Sequence, residues 1–134
     1  MAGFECIGVL GGGNPRIGRF TMVNDEVTTV GAMLTLTSNE ARLGTTNDTA
    51  FIGVALEALD NAADGKSVRA ICDPYAIYAY KDGTAHAAGA TLDLGTNALA
   101  TTSNADFTVI EDNTADEATH FIITPGEHYL HGGG

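Results

Sequence analysis

A chain of 134 residues fits one domain and can bury a modest core, since a fold of this size hides about two-thirds of the surface its unfolded chain exposes. Acidic residues outnumber basic ones 17 to 6, and a net charge of -11 with no basic run disfavours DNA or RNA as a partner. Hydrophobic residues make up 44% but aromatics only 7%, with no Trp, so the apolar share is Ala, Val, Ile, Leu and Gly, which suits a small-residue β core.

In chain order, residues 4–10 (Phe-Glu-Cys-Ile-Gly-Val-Leu) form a short apolar run closed by Gly11-Gly12-Gly13-Asn14-Pro15, which no regular element crosses. This predicts an N-terminal arm with a glycine hinge over residues 1–13; an ordinary first strand with a loose loop is the plainer reading. Residues 16–22 alternate imperfectly around Ile17 and Phe20, a strand ended by the turn Asn24-Asp25-Glu26. Thr28 to Thr37 carries Val30, Met33, Leu34 and Leu36 among threonines and reads as one strand bent at Gly31. A brief segment from Glu40 to Leu43 precedes a polar loop from Gly44 to Asp48.

Phe51 to Leu56 is almost wholly apolar, as a strand buried on both faces is, with Gly53 where another backbone or side chain approaches closely. The Ala-rich piece Glu57 to Gly65 ends in Asp-Gly and predicts a hairpin loop rather than a helix. Val68, Ala70 and Cys72 alternate with Ser67, Arg69 and Ile71 until Asp73-Pro74 stops the strand, because proline offers no ladder donor. Tyr75 to Tyr80 follows and ends at Lys81-Asp82-Gly83. Beyond Gly89 come short strands among open loops: Thr91 to Leu94, Phe107 to Ile110 and Phe121 to Thr124, with an acidic loop from Glu111 to Glu117. Glu127 to Gly134 has no core periodicity and predicts a C-terminal tail. Turn signals every 8 to 12 residues or so, no sustained helical period and seventeen threonines predict an all-β fold, a single small barrel or sandwich over residues 14–126 with extended terminal arms.

No chemistry-bearing pattern is complete. Cys6 and Cys72 have neither zinc-site spacing nor the density of a disulfide scaffold, which suits a reducing cytosolic context. Cys72 lies beside Asp73, whose charge opposes thiolate formation, and reads as a packed core thiol. His120, Glu127, His128 and His131 are conceivable metal ligands, but a glycine-ended tail does not fix them. His86, in an Ala-rich loop, reads as solvated. Asp60, Asp64, Asp112 and Asp116 lack calcium-loop spacing, and Gly11 to Asn14 lacks the residues of either nucleotide fingerprint. The expectation is therefore no catalytic, cofactor or metal residue, and not an enzyme. No apolar run approaches the roughly 20 residues that span a bilayer, and Met-Ala-Gly-Phe-Glu has no basic leader, so neither membrane nor export is expected.

The stretch from Thr49 to Tyr80 carries a resemblance. Its strand, the corner Gly53-Val54-Ala55, the Ala/Asp/Gly turn, the basic-apolar strand and the Asp73-Pro74 break together resemble the small all-β head decoration (cement) proteins of tailed bacteriophages, over roughly residues 30–125. The resemblance implies a structural protein on the outside of the assembled capsid, assembled in the host cytoplasm, with the major capsid protein and its own copies, as a homotrimer, for partners. Phe4, Ile7, Val9 and Leu10 on the first arm and Tyr129 and Leu130 on the tail are then the candidate interface residues. Two other readings stand beside it: a carbohydrate- or receptor-binding module stacking its ligand on Tyr75, Tyr78 and Tyr80, and a carrier domain modified at Lys81 on its hairpin tip.

Overall fold

The computed structural model describes residues 3–23, 26–45, 48–59, 66–95, 97–100 and 105–131. Within them lie the strands β1 (Glu5–Val9), β2 (Ile17–Thr21), β3 (Met33–Thr37), β4 (Glu40–Leu43), β5 (Phe51–Val54), β6 (Ser67–Ile71), β7 (Ala76–Tyr80), β8 (Thr91–Leu94), β9 (Leu99–Ala100), β10 (Phe107–Val109) and β11 (Thr119–Ile123), followed by one 3-10 turn, Tyr129–His131. The chain is all-β, as its turn spacing and threonine content predict.

Two layers follow from the pairing. One is an antiparallel sheet in the order β1-β7-β11-β10-β8-β9. The other is a small barrel: β4-β3-β5 form one sheet and β2-β6 a ribbon, and bridges between Ala55 and Ala70 and between Met22 and Ala41 join the two at both margins. The ring β2-β6-β5-β3-β4 thereby closes, which removes the free edges a five-stranded open sheet would leave.

Alternation along β3 and β5 divides the apolar residues between two cores. Leu34 and Ile52 fill the barrel with Met22, Ala41, Val68 and Ala70. Met33, Phe51 and Val54 face the six-stranded sheet and pack with Tyr78, Phe107 and Phe121. A strand serving both cores must be apolar at successive positions, and all four residues of β5 are buried. The close approach expected at Gly53 is present: a Cβ there would lie 2.0 Å from the Ile71 carbonyl oxygen and 2.5 Å from the Tyr78 hydroxyl, at a φ of +146°.

Three expectations need correction. Residues 28–37 are not one strand: Thr28 bridges Leu59, the chain turns at Gly31 (φ +90°), and β3 begins only at Met33. The N-terminal segment is not a free arm, because β1 pairs with β7 and Phe4 is 3% exposed, its ring 4.7 Å from that of Tyr80 and 6.1 Å from that of Phe121. An aromatic ring recovers more free energy in the aromatic core than in water, and that draws the whole segment into the sheet. The tail is likewise docked at its start: Phe51 N–H donates to the Glu127 carbonyl (2.8 Å), and His128, 1% exposed, bonds through Nε2 to the Ile52 carbonyl (3.1 Å). The expected hairpin loop over residues 57–65 has paired flanks, with Leu56 N–H donating to the Arg69 carbonyl (2.9 Å), while its residues 60–65 lie outside the described ones.

Candidate functional site

β1 ends the order of the six-stranded sheet, so one side of its backbone meets β7 and the other meets no strand among the described residues. Along that second side the sheet and the barrel part to leave a groove of about 640 Å³. Its walls are apolar: Phe4 and Cys6 on one side, Val54, Leu56 and Ile71 on the other, with Val30 and Pro15 at the mouth. At one end the Phe4 N–H donates across to the Gly31 carbonyl (3.2 Å), which closes the groove there. Glu5 is the charged residue among the lining side chains.

The register of β1 on β7 shifts between Cys6 and Gly8, a bulge that leaves Ile7 unpaired and 45% exposed. Leu10 N–H donates to the Tyr75 carbonyl (2.9 Å), which sets two more exposed apolar side chains together. Ile17, 51% exposed, lies beside the same turn, since Arg16 N–H donates to Asp73 Oδ2 (3.1 Å) and the Arg16 carbonyl accepts from Cys72. The backbone edge of β1 and the apolar groove thus adjoin, with exposed apolar side chains further along the strand, and such an edge can receive an extended segment as an added strand.

The candidate interface residues divide. Ile7, Leu10 and Leu130 are exposed, Val9 is half-buried, and Phe4 and Tyr129 serve the cores. Tyr129 stands edge-on to Phe20 with centroids 5.8 Å apart and hydrogen-bonds Cys72; burial and that thiol push its hydroxyl up to about 12. Ile17, Val30 and Leu56, strand residues in the sequence, are not marked there as surface residues of a binding site. The outward period-2 positions of β2 (Ile17, Arg19, Thr21) are the signal that marks Ile17.

Elsewhere the proposed platform of three tyrosines is not assembled. Tyr75 is 48% exposed, but Tyr78 is fully buried, its hydroxyl held well above the usual range by burial, and Tyr80 lies against Phe4. His86 is not solvated: its Nε2 sits 2.9 Å from Asp82 Oδ2 with the imidazole 7% exposed. Lys81 is exposed in the chain that leaves β7, and because β7 pairs with β1 and β11 rather than with β8, Lys81 does not sit on a two-strand hairpin tip. Cys72 is packed, and burial raises its thiol and that of Cys6.

His120 pairs with Glu111 and His128 with the Ile52 backbone, so the conceivable metal ligands point to different partners. No three metal-ligating side chains converge among the described residues. Asp112 accepts from the Ala88 N–H (2.8 Å), Asp116 is exposed, and Asp60 and Asp64 lie outside the described residues. The three glycines from Gly11 to Gly13 all have positive φ, with open space around each. A comparison of the chain with family models and with curated proteins finds no match.

Proposed function

We propose that the chain is a structural decoration protein of a tailed-phage head, binding the outer surface of the assembled capsid and stabilising it against the pressure of packaged DNA. The observation that carries this reading is the free edge of β1 beside an apolar groove of about 640 Å³, with Ile7, Leu10 and Tyr75 exposed further along the same strand and the turn it meets. The occupant is an extended apolar segment of the major capsid protein. Main-chain hydrogen bonds to β1 supply affinity, and alternate side chains entering between Phe4 and Leu56 supply specificity. Each fully buried aliphatic side chain contributes roughly 1.5 to 3 kcal/mol. Basic residues flanking that segment suit a partner with a net charge of -11.

Homotrimers around the local threefold positions of the lattice make each contact one of several, so that weak single attachments hold in sum. The test mixes purified, undecorated heads with the protein and with Ile7→Asp and Leu10→Asp, then measures occupancy and the temperature of DNA release. Both positions are exposed, so both variants fold; the wild-type protein raises the release temperature, and the variants bind weakly. Full occupancy by both folded variants removes β1 as the docking edge, and no binding by the wild-type protein removes the capsid reading.

A further inference from the structure

β2 and β6 pair antiparallel with Arg19 directly opposite Arg69 and Thr21 opposite Ser67. Like charges placed opposite one another repel, and this chain has only 6 lysines and arginines to place. Arg16 and Lys66 stand at the two ends of the same ribbon, so four of the 6 are gathered there, all exposed, and neither strand carries a carboxylate. Glu57, from the segment after β5, holds the opposed pair in place. Its Oε2 lies 3.2 Å from Arg69 Nε, and its Oε1 accepts the Arg69 N–H (2.7 Å) and lies 3.7 Å from Arg19 Nη1. Arg19 Nη1 also reaches the Ser67 hydroxyl (3.3 Å). One carboxylate between two guanidiniums leaves a positive charge over, and both side chains remain more than half exposed. Asp73, which accepts the Arg16 backbone N–H, is the other carboxylate tied to the ribbon among the described residues.

The complementary surface lies on the other layer. The connection from β10 to β11 carries Glu111, Asp112, Asp116 and Glu117, all exposed, and shapes a recess of about 230 Å³ lined by Glu111, Asp112, Asn113, Glu117 and His120. The fold fixes the lining carboxylates. Asp112 Oδ1 accepts the Ala88 N–H (2.8 Å), Glu117 Oε1 accepts the Thr114 N–H (2.9 Å), and Glu111 Oε1 meets His120 Nδ1. Each keeps its second oxygen without a partner among the described residues. Such oxygens suit a guanidinium, whose planar fork meets a carboxylate through two parallel hydrogen bonds.

We propose that copies of this chain associate head to tail, the basic β2–β6 ribbon of one copy seated on the acidic β10–β11 connection of the next, with Arg19 and Arg69 meeting the carboxylates of the recess. Copies with a net charge of -11 repel at long range. At physiological salt that repulsion is screened beyond about 8 Å, whereas charges in contact are screened much less. Scattered cations would be outnumbered wherever they stood; gathered on one ribbon, they make a face that an acidic surface approaches with attraction. Ile17, exposed between Arg16 and Arg19, adds apolar contact to it. Because the two surfaces differ, each copy offers its ribbon to one neighbour and its recess to another, and repetition about an axis closes a ring. The contact goes beyond the capsid reading, since it forms between free copies whether or not a head is present.

Sedimentation equilibrium over a concentration series, without heads, tests the contact for the wild-type protein, for Arg19→Gln with Arg69→Gln, and for Glu111→Gln with Glu117→Gln. All four positions are exposed, and glutamine keeps the acceptors toward His120 and Thr114, so both variants fold, which urea unfolding verifies. The wild-type protein self-associates, and each variant does so about 10-fold more weakly or less still. An equimolar mixture of the two variants forms heterodimers, because one retains the recess and the other the ribbon. Raising salt from about 0.15 M to about 1 M shortens the screening length to about 3 Å and dissociates the wild-type assemblies, a measurement that needs no variant. The contact is overturned by a wild-type protein that stays monomeric, by variants that associate as it does, by a mixture that stays monomeric, or by association that the added salt leaves intact or strengthens, as it would an apolar contact. Binding of polyglutamate to the ribbon of a monomeric wild-type protein assigns that face to an acidic partner of another kind and likewise overturns it.

Discussion

The side-chain amide of Asn97 takes both backbone groups of Met33. Its Oδ1 accepts the Met33 N–H (3.0 Å) and its Nδ2 donates to the Met33 carbonyl (2.8 Å), with a further bond to the Gly44 carbonyl (3.1 Å). A side chain from the loop after β8 thus stands in for a neighbouring strand at the start of β3 and ties the six-stranded sheet to the barrel. Its own φ of +47° is one that asparagine tolerates better than most residues.

Asn97→Ala should destabilise the protein by about 2 to 4 kcal/mol, because the Met33 N–H and the Gly44 carbonyl lose the amide, the Met33 carbonyl keeps only the Gly44 N–H (2.9 Å), and a residue less suited to positive φ is installed. Asn97→Gly relieves the backbone but not the lost bonds, so it should also destabilise, by less. Urea unfolding separates the two. Equal stability of the wild-type protein and Asn97→Gly would mean that the clamp contributes nothing.

Gly53→Ala should prevent folding, since the new methyl would meet the Ile71 carbonyl oxygen at 2.0 Å and that oxygen belongs to a paired strand that cannot yield. Gly83→Ala, at φ +76° with open space around it, is the control and should cost about 1 kcal/mol. A soluble, cooperatively folding Gly53→Ala protein would show that β5 and β6 are not packed as described.

Ile52→Asp and Val54→Asp should each abolish folding, one from each core, because an unpaired buried charge costs several kcal/mol against a total stability of about 5 to 15. His86→Ala and Cys72→Ala should leave folded proteins, with losses of about 1 to 3 kcal/mol from the Asp82 pair and from the small void beside Tyr129. With both thiols raised by burial, Cys6 and Cys72 should alkylate more slowly at pH 8 than free cysteine. Reaction as fast as the free amino acid would place them outside the packing described.

What the sequence revealed and what it hid follow one rule. β5 was legible because its signal is local: unbroken apolar character bounded by turns, and one glycine where a methyl does not fit. Tyr78, Phe4 and His86 were not, because each depends on a partner distant in sequence or on a loop's shape. Tyr78 follows Ala76 on the inward face of β7, opposite Phe121 of β11, and this pairing of strands far apart in the chain decides its burial. The three glycines that end its segment give Phe4 the sequence context of an arm residue. Yet the glycines, all at positive φ, only turn the chain after a strand that tertiary packing holds in place. Asp82 and His86 are four apart in a loop, where no regular period announces a meeting. The groove was hidden for the same reason: it exists only between layers that sequence alone does not register.

The first segment gives the sharpest test of that difference. A detachable arm could be removed without loss of the domain, whereas β1 supplies the edge of the six-stranded sheet and Phe4 a ring in contact with Tyr80, Phe107 and Phe121. Phe4→Ala should therefore cost about 3 to 5 kcal/mol, and deletion of residues 1–13 should leave a protein that unfolds at markedly lower urea or not cooperatively at all. Ile7→Asp, in the same strand but on the exposed bulge, should change stability by less than about 1 kcal/mol. Circular dichroism and urea unfolding of the three proteins decide the matter: a truncated chain as stable as the full one would return residues 1–13 to the status of an arm, and the groove beside β1 would lose one of its walls.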